Sequence, residues 1–215
     1  MGAPLLTRLI NVRRFPSFPL FLSGKKFGEL HRQFPEVLWR DLSQRVVRRY
    51  ATRITGNPSD AVHQITSGIA AYRSTGSTLS SPTWLSYLAK AHADLRQFDD
   101  AWRCIGEAIV AVERTKERWW KAEVNRIAGE IALMLPKRDT AKAEAYFERA
   151  LSVARQQQAK PWELRASMSL ARLWRDQGKV QQARELLAPV YGWFTEGFDT
   201  RDLKEAKALL EELAA

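Results

Sequence analysis

The stretch LARLWRDQGKVQQARELL at 170–187 repeats, in side-chain size, the stretch LAKAHADLRQFDDAWRCI at 88–105. With an offset of 82, Leu170 falls on Leu88, Ala171 on Ala89, Trp174 on His92, Val180 on Phe98, Ala183 on Ala101 and Leu187 on Ile105. Few residues are identical, but small falls on small and large on large. A chain that writes one pattern of sizes twice is building one packing arrangement twice.

A third copy lies between them, at 128–151 (AGEIALMLPKRDTAKAEAYFERAL). Here Gly129 takes the place of Ala89, Ala143 of Ala101, Phe147 of Ile105 and Ala150 of Ala108, with two extra residues around Pro136–Arg138. The small residues at 89, 129 and 171, and again at 101, 143 and 183, step by 40 to 42. A period in this range indicates stacked helical hairpins. In the first unit Leu85, Leu88, Ala89 and His92 share one helical face, and the turn falls near Arg96-Gln97. Ala101, Ile105, Ala108, Ile109 and Val112 then form a second apolar stripe. The third unit turns at Asp176-Gln177-Gly178, where glycine suits a helix end. The small positions are predicted where two helix axes approach, and a large residue there would cost about 1–3 kcal/mol by overpacking.

The pattern extends half a unit toward the N-terminus. TGNPSDAVHQITSGIAAY at 55–72 matches with an offset of 40, so that Ala61 falls on Ala101, Ile65 on Ile105 and Gly68 on Ala108. It reads as the second helix of an earlier hairpin. Its partner would lie at about 40–54, but there Arg49 falls on the small position and breaks the match. Pro35–Ile54 still reads as a helix, with Leu38, Leu42, Val46, Tyr50 and Ile54 at every fourth residue, placed to cover the open end. The predicted organisation is a basic, partly irregular segment over 1–54 with a helix near 35–54, then a repeat array over 55–215. A helix at 200–213 closes the array, with Leu203, Ala206, Leu209, Leu210 and Leu213 inward and Glu205, Lys207, Glu211 and Glu212 toward water.

Charge separates the two parts. The chain has a formal net charge of +10, and residues 1–58 hold eleven Lys/Arg against three Asp/Glu, so +8 resides there. The basic character is therefore not a property of the array. Apolar residues make up 45% of the chain, enough for a sizeable core. The single cysteine, Cys104, excludes an internal disulfide and fits a reducing cytoplasm, with the thiol read as a small buried group. No apolar run is long enough to span a bilayer.

The residues of chemistry are scattered. His31, His63 and His92 stand apart from any Cys, Asp or Glu at metal-ligand spacing, and the chain has neither a phosphate-binding Gly-rich loop nor a nucleophile elbow. The expectation is a protein without enzymatic activity, cofactor or metal. Trp119, Trp120, Trp162, Trp174 and Trp193 sit at helical spacing, which favours packing between hairpins over a ligand face.

The A-x3-F/I/L-x2-A spacing of the second helices resembles the tetratricopeptide repeat. The stretches ERWWKAEVNRIAGEIAL, AEAYFERALSVARQQQAKPWELRASMSLARLWRDQGK and LLAPVYGWFTEGFDTRDLKEAKALLEEL are similar to the C-terminal repeat region of large bacterial regulators. Those proteins join a cyclase-homology or winged-helix domain, an ATPase domain and a tetratricopeptide-like tail. The likeness covers 55–215, and none of the family's catalytic residues fall within it. It implies an all-α, right-handed superhelix of stacked antiparallel helix pairs whose first helices line a concave surface. Projected onto that surface are Thr83, Ser86, Lys90 and Ala93, then Glu123, Arg126, Glu130 and Leu133, then Arg165, Met168, Arg172 and Arg175. The last set is basic apart from Met168 and is expected to hold an acidic peptide segment or a chain terminus, since guanidinium pairs with carboxylate in bidentate geometry.

The expected function is a non-catalytic scaffold for protein–protein interaction in bacterial signalling or transcriptional regulation. One alternative is the regulatory tail of a cyclase-like or ATPase regulator without its catalytic domains. Another is nucleic-acid or anionic-membrane binding through Arg40, Arg45, Arg48, Arg49 and Arg53 with Trp39 and Tyr50.

Overall fold

The structure, a computed structural model, describes residues 57–73, 78 and 80–214. The basic segment 1–54, with the helix expected near 35–54, lies outside the described residues. Those described are all-helical, with no strand among them. The α-helices are α1 (Pro58–Arg73), α2 (Ser81–Asp94), α3 (Phe98–Thr115), α4 (Lys121–Met134), α5 (Thr140–Gln156), α6 (Lys160–Asp176), α7 (Val180–Gly192) and α8 (Arg201–Glu212). A 3-10 turn, Arg118–Trp120, leads into α4.

The ends of these helices follow from local chemistry. Pro82 and Pro161 stand in the first turns of α2 and α6, where a missing N–H costs nothing. The Asp139 carboxylate accepts from the backbone N–H of Lys142 at 2.9 Å and caps α5. Four helices close on a left-handed residue: Arg96 after α2, Lys116 after α3, Gln158 after α5 and Gly178 after α6. The closures of α2, α5 and α6 end with a backbone N–H donating five residues back, from Gln97 to His92, from Ala159 to Ala154 and from Lys179 to Trp174, at 2.8–2.9 Å. Arg96 and Gly178 are 82 apart, so the first and third hairpins turn in the same way with different residues.

Helix starts keep the period. Helices α2, α4, α6 and α8 begin at 81, 121, 160 and 201, while α1, α3, α5 and α7 begin at 58, 98, 140 and 180. Helices α2–α3, α4–α5 and α6–α7 are thus three hairpins, α1 is of the second kind and α8 of the first. Each helix packs on the next, and the first-type helices also touch one another in order. The outward side of α8 carries exposed Lys204, Lys207, Ala208 and Glu211, which ends the apolar stack.

The predicted small positions are where helices meet. Ala89, Ala171, Ala101, Ala143 and Ala183 are fully buried. At Gly129 the approach is closest: a Cβ there would lie 2.4 Å from Cε1 of Phe147. The pairs Ala89/Ile105, Gly129/Phe147 and Ala171/Leu187 trade volume across the contact, the smallest residue standing opposite the largest. Between hairpins the core continues through Trp120, whose ring meets Tyr87, Trp119 and Trp162 edge-on at 4.8–5.7 Å. Cys104 is buried in this core, and burial pushes its thiol up to about 11, which leaves it unreactive at neutral pH.

Candidate functional site

The first-type helices bring the predicted groove residues onto one side, but much of that side is closed by neighbouring helices. On α2, Thr83, Ser86 and Ala93 are buried. The Ser86 hydroxyl donates to the Thr83 carbonyl at 2.8 Å and accepts from the Trp120 indole N–H at 3.0 Å, so it anchors the second hairpin on the first. Lys90 remains half-buried and pairs with Asp94 one turn on.

On α4, Arg126 is the centre of a charged network. Its guanidinium grips Glu123 through two bonds of 2.7 and 2.8 Å, reaches Glu130, and extends toward the Ser169 hydroxyl of α6 at 3.4 Å. Burial opposes the charge on Arg126, but Glu123 and Glu130 outweigh it and hold the group firmly protonated. Glu123 is itself buried, and Leu133 is half-buried.

The three arginines expected to hold an acidic peptide already face carboxylates of this chain. Arg165 donates from Nε to Asp202 Oδ2 at 2.6 Å and also approaches Glu123 at 3.7 Å. Arg172 donates to Glu205 Oε2 at 3.1 Å, and Arg175 pairs with Glu212 and with Asp176. Asp202, Glu205 and Glu212 all belong to α8. The pairs run in the same order along both helices, so α6 and α8 lie parallel. Met168 is 3% exposed and packs with Leu164, Leu187, Leu203 and Ala206, so it lines the seat of α8 and not an open surface. Glu205, expected to face water, is half-buried between Arg172 and Arg201.

These acids are what sequence reading missed. A signal was present: Asp202, Glu205 and Glu212 span ten positions along α8, as Arg165, Arg172 and Arg175 do along α6.

The remaining polar groups do not converge. His92 is buried and bonded to the Gln97 side chain at 2.7 Å, His63 is exposed, and His31 lies outside the described residues. Among the described residues no group of three or more His, Cys, Asp or Glu is placed to hold a metal ion. No helix among them is long and apolar enough to cross a membrane. Two shallow depressions, of about 200 and 400 Å³, lie in the valleys beside second-type helices. One is lined by Ile109, Val112, Val124 and Arg149, the other by Leu151, Arg155, Trp174 and Leu186. Of the tryptophans, Trp120 and Trp162 are core, whereas Trp193 is 57% exposed beside Phe194. The arginines proposed for phosphate contact, from Arg40 to Arg53, lie outside the described residues.

No family model matches this chain, and no curated protein matches it.

Proposed function

We propose that this chain is a non-catalytic, tetratricopeptide-like scaffold that binds protein, with its hairpins stacked as a right-handed superhelix. The observation that carries this reading is the contact between successive first-type helices. It joins Lys90, Arg126, Glu130, Arg172 and Glu205 into one strip of charged, partly exposed side chains. Closer packing on that side supports a surface curved toward it, where an extended or helical segment of a partner lies across several hairpins. Both signs of charge are interspersed along the strip, which favours selectivity by register over general attraction. The resemblance of 55–215 to the tails of bacterial regulators supports a role for such a scaffold in cytoplasmic signalling or transcriptional control, beside catalytic domains.

The test compares two forms of the full chain as baits in lysate of the source cell, read by mass spectrometry. One is wild type and the other carries Lys90→Glu with Glu130→Lys. These two side chains are partly exposed, so the substitutions change the strip without opening the core. A partner held by the wild type and lost by the variant supports the strip as the binding face. Equal capture by both forms sinks that assignment.

A further inference from the structure

We propose that the groove between α6 and α7 is a binding site for an acidic amphipathic helix of a partner protein, with α8 as its internal, exchangeable occupant. This rests on the protein-binding reading and names the chemistry of the partner.

The groove has two components. Its floor is apolar, formed by Leu164, Met168, Leu187 and Val190, and it receives Leu203, Ala206, Leu209 and Leu213 of α8. Its rim is the row Arg165, Arg172 and Arg175, which receives Asp202, Glu205 and Glu212. An occupant must therefore present apolar residues at i, i+3, i+6 and i+10 with carboxylates along one edge, running parallel to α6. That is a specification of a ligand and not only of a lid. Apolar contact alone would cap the stack, and the arginine row adds a demand for negative charge.

Several features make α8 exchangeable. It rests on α6 and α7 through less contact than any hairpin pair shares. Among the described residues nothing overlies its outer face, where Lys204, Lys207 and Glu211 are exposed. It joins α7 through residues 193–200, a stretch with exposed Trp193 and Phe198 and a left-handed Gly197. The Arg172–Glu205 and Arg175–Glu212 pairs are each more than one-third exposed, so they add little to folding stability while setting the preferred charge of the occupant.

The experiment uses the full chain and a fluorescein-labelled helical peptide. The peptide keeps only the four apolar and three acidic positions of α8, with Ala, Gln and Lys elsewhere. A control peptide carries Lys at the three acidic positions. In the chain, Ala206→Asp places a carboxylate at a fully buried point of the α8 contact and expels the helix. A second chain, Asp202→Lys with Glu205→Lys and Glu212→Lys, loosens α8 by charge alone and serves if the first fails to fold. Anisotropy should show the acidic peptide binding either loosened chain about tenfold or more tightly than wild type, whose groove is occupied. The lysine peptide should not bind. A loosened chain that keeps the helical circular dichroism of the other hairpins yet ignores the acidic peptide overturns the proposal, as does equal binding of both peptides. If the chain fails this assay but loses a lysate partner on Lys90→Glu with Glu130→Lys, only the α6–α7 site is wrong. Peptide binding without any lysate partner would instead count against the wider scaffold reading.

Discussion

At the joint between α4 and α5 a phenyl ring lies against a glycine, and the contact is one of shape. At the joint between α6 and α8 three guanidiniums meet three carboxylates around an apolar floor, and the contact is one of charge and shape together. The first kind tolerates almost nothing, because carbon atoms already at van der Waals distance have no room to give. The second kind tolerates change at its rim, because water substitutes for a lost partner. The array is thus rigid where hairpins fold on themselves and adjustable where its last helix is laid on.

Mutations that attack the shape-based joint should have the largest effects. Phe147→Ala leaves a void opposite Gly129 and should lower unfolding free energy by about 3–5 kcal/mol in urea titrations. Gly129→Ala drives a methyl into the Phe147 ring, and overpacking of about 1–3 kcal/mol should exceed the gain in helix propensity, lowering the thermal midpoint. Adding Phe147→Leu to Gly129→Ala should restore part of that loss, since the first hairpin pairs Ala89 with Ile105. A double variant no more stable than the sum of its parts would break the idea that volumes are traded across the contact.

The charge-based joint should respond to acid. Burial pushes the Glu205 carboxyl up, but the guanidiniums of Arg201 and Arg172 outweigh it and hold it below the ordinary carboxylate value of about 4.3. A carboxylate depressed in the folded state stabilises above its unfolded pKa, and that stabilisation is lost as pH falls through the folded value. Thermal midpoints measured from neutral pH to about pH 3 should therefore fall more for wild type than for Glu205→Gln. Parallel curves would remove Glu205 from the forces that hold α8. The smallest effect is expected at a turn. Gln158 sits at φ +53°, and Gln158→Gly should raise stability by about 1 kcal/mol or less by relieving a left-handed side-chain residue.

Much of the fold was readable because the repeat is written in residue size. Ala89, Gly129, Ala171, Ala101, Ala143 and Ala183 marked the close contacts, since only small residues allow helix axes to approach. The two extra residues near Pro136–Arg138 marked the one hairpin whose loop differs, now seen as the longer connection from Leu135 to Asp139. The groove was less readable. An arginine on a helix face looks the same in sequence whether it meets water or an acid 37 positions later, as Arg165 meets Asp202. Met168 looked like one apolar residue in a basic row, while its burial depends on Leu203 and Ala206 arriving from α8.

The sequence alone determined the all-helical class, the period near 40, the hairpin turns and the amphipathic closing helix. These rest on local rules: helical spacing of apolar residues, the conformational demands of helix ends, and the volume allowed at a close contact. Tertiary structure alone decided which charges meet. It laid α8 in register with α6 and turned an expected open basic face into one already paired. The reason is that ion pairs between distant segments depend on how helices stack, and stacking is set by shape across the whole array rather than by any short stretch within it.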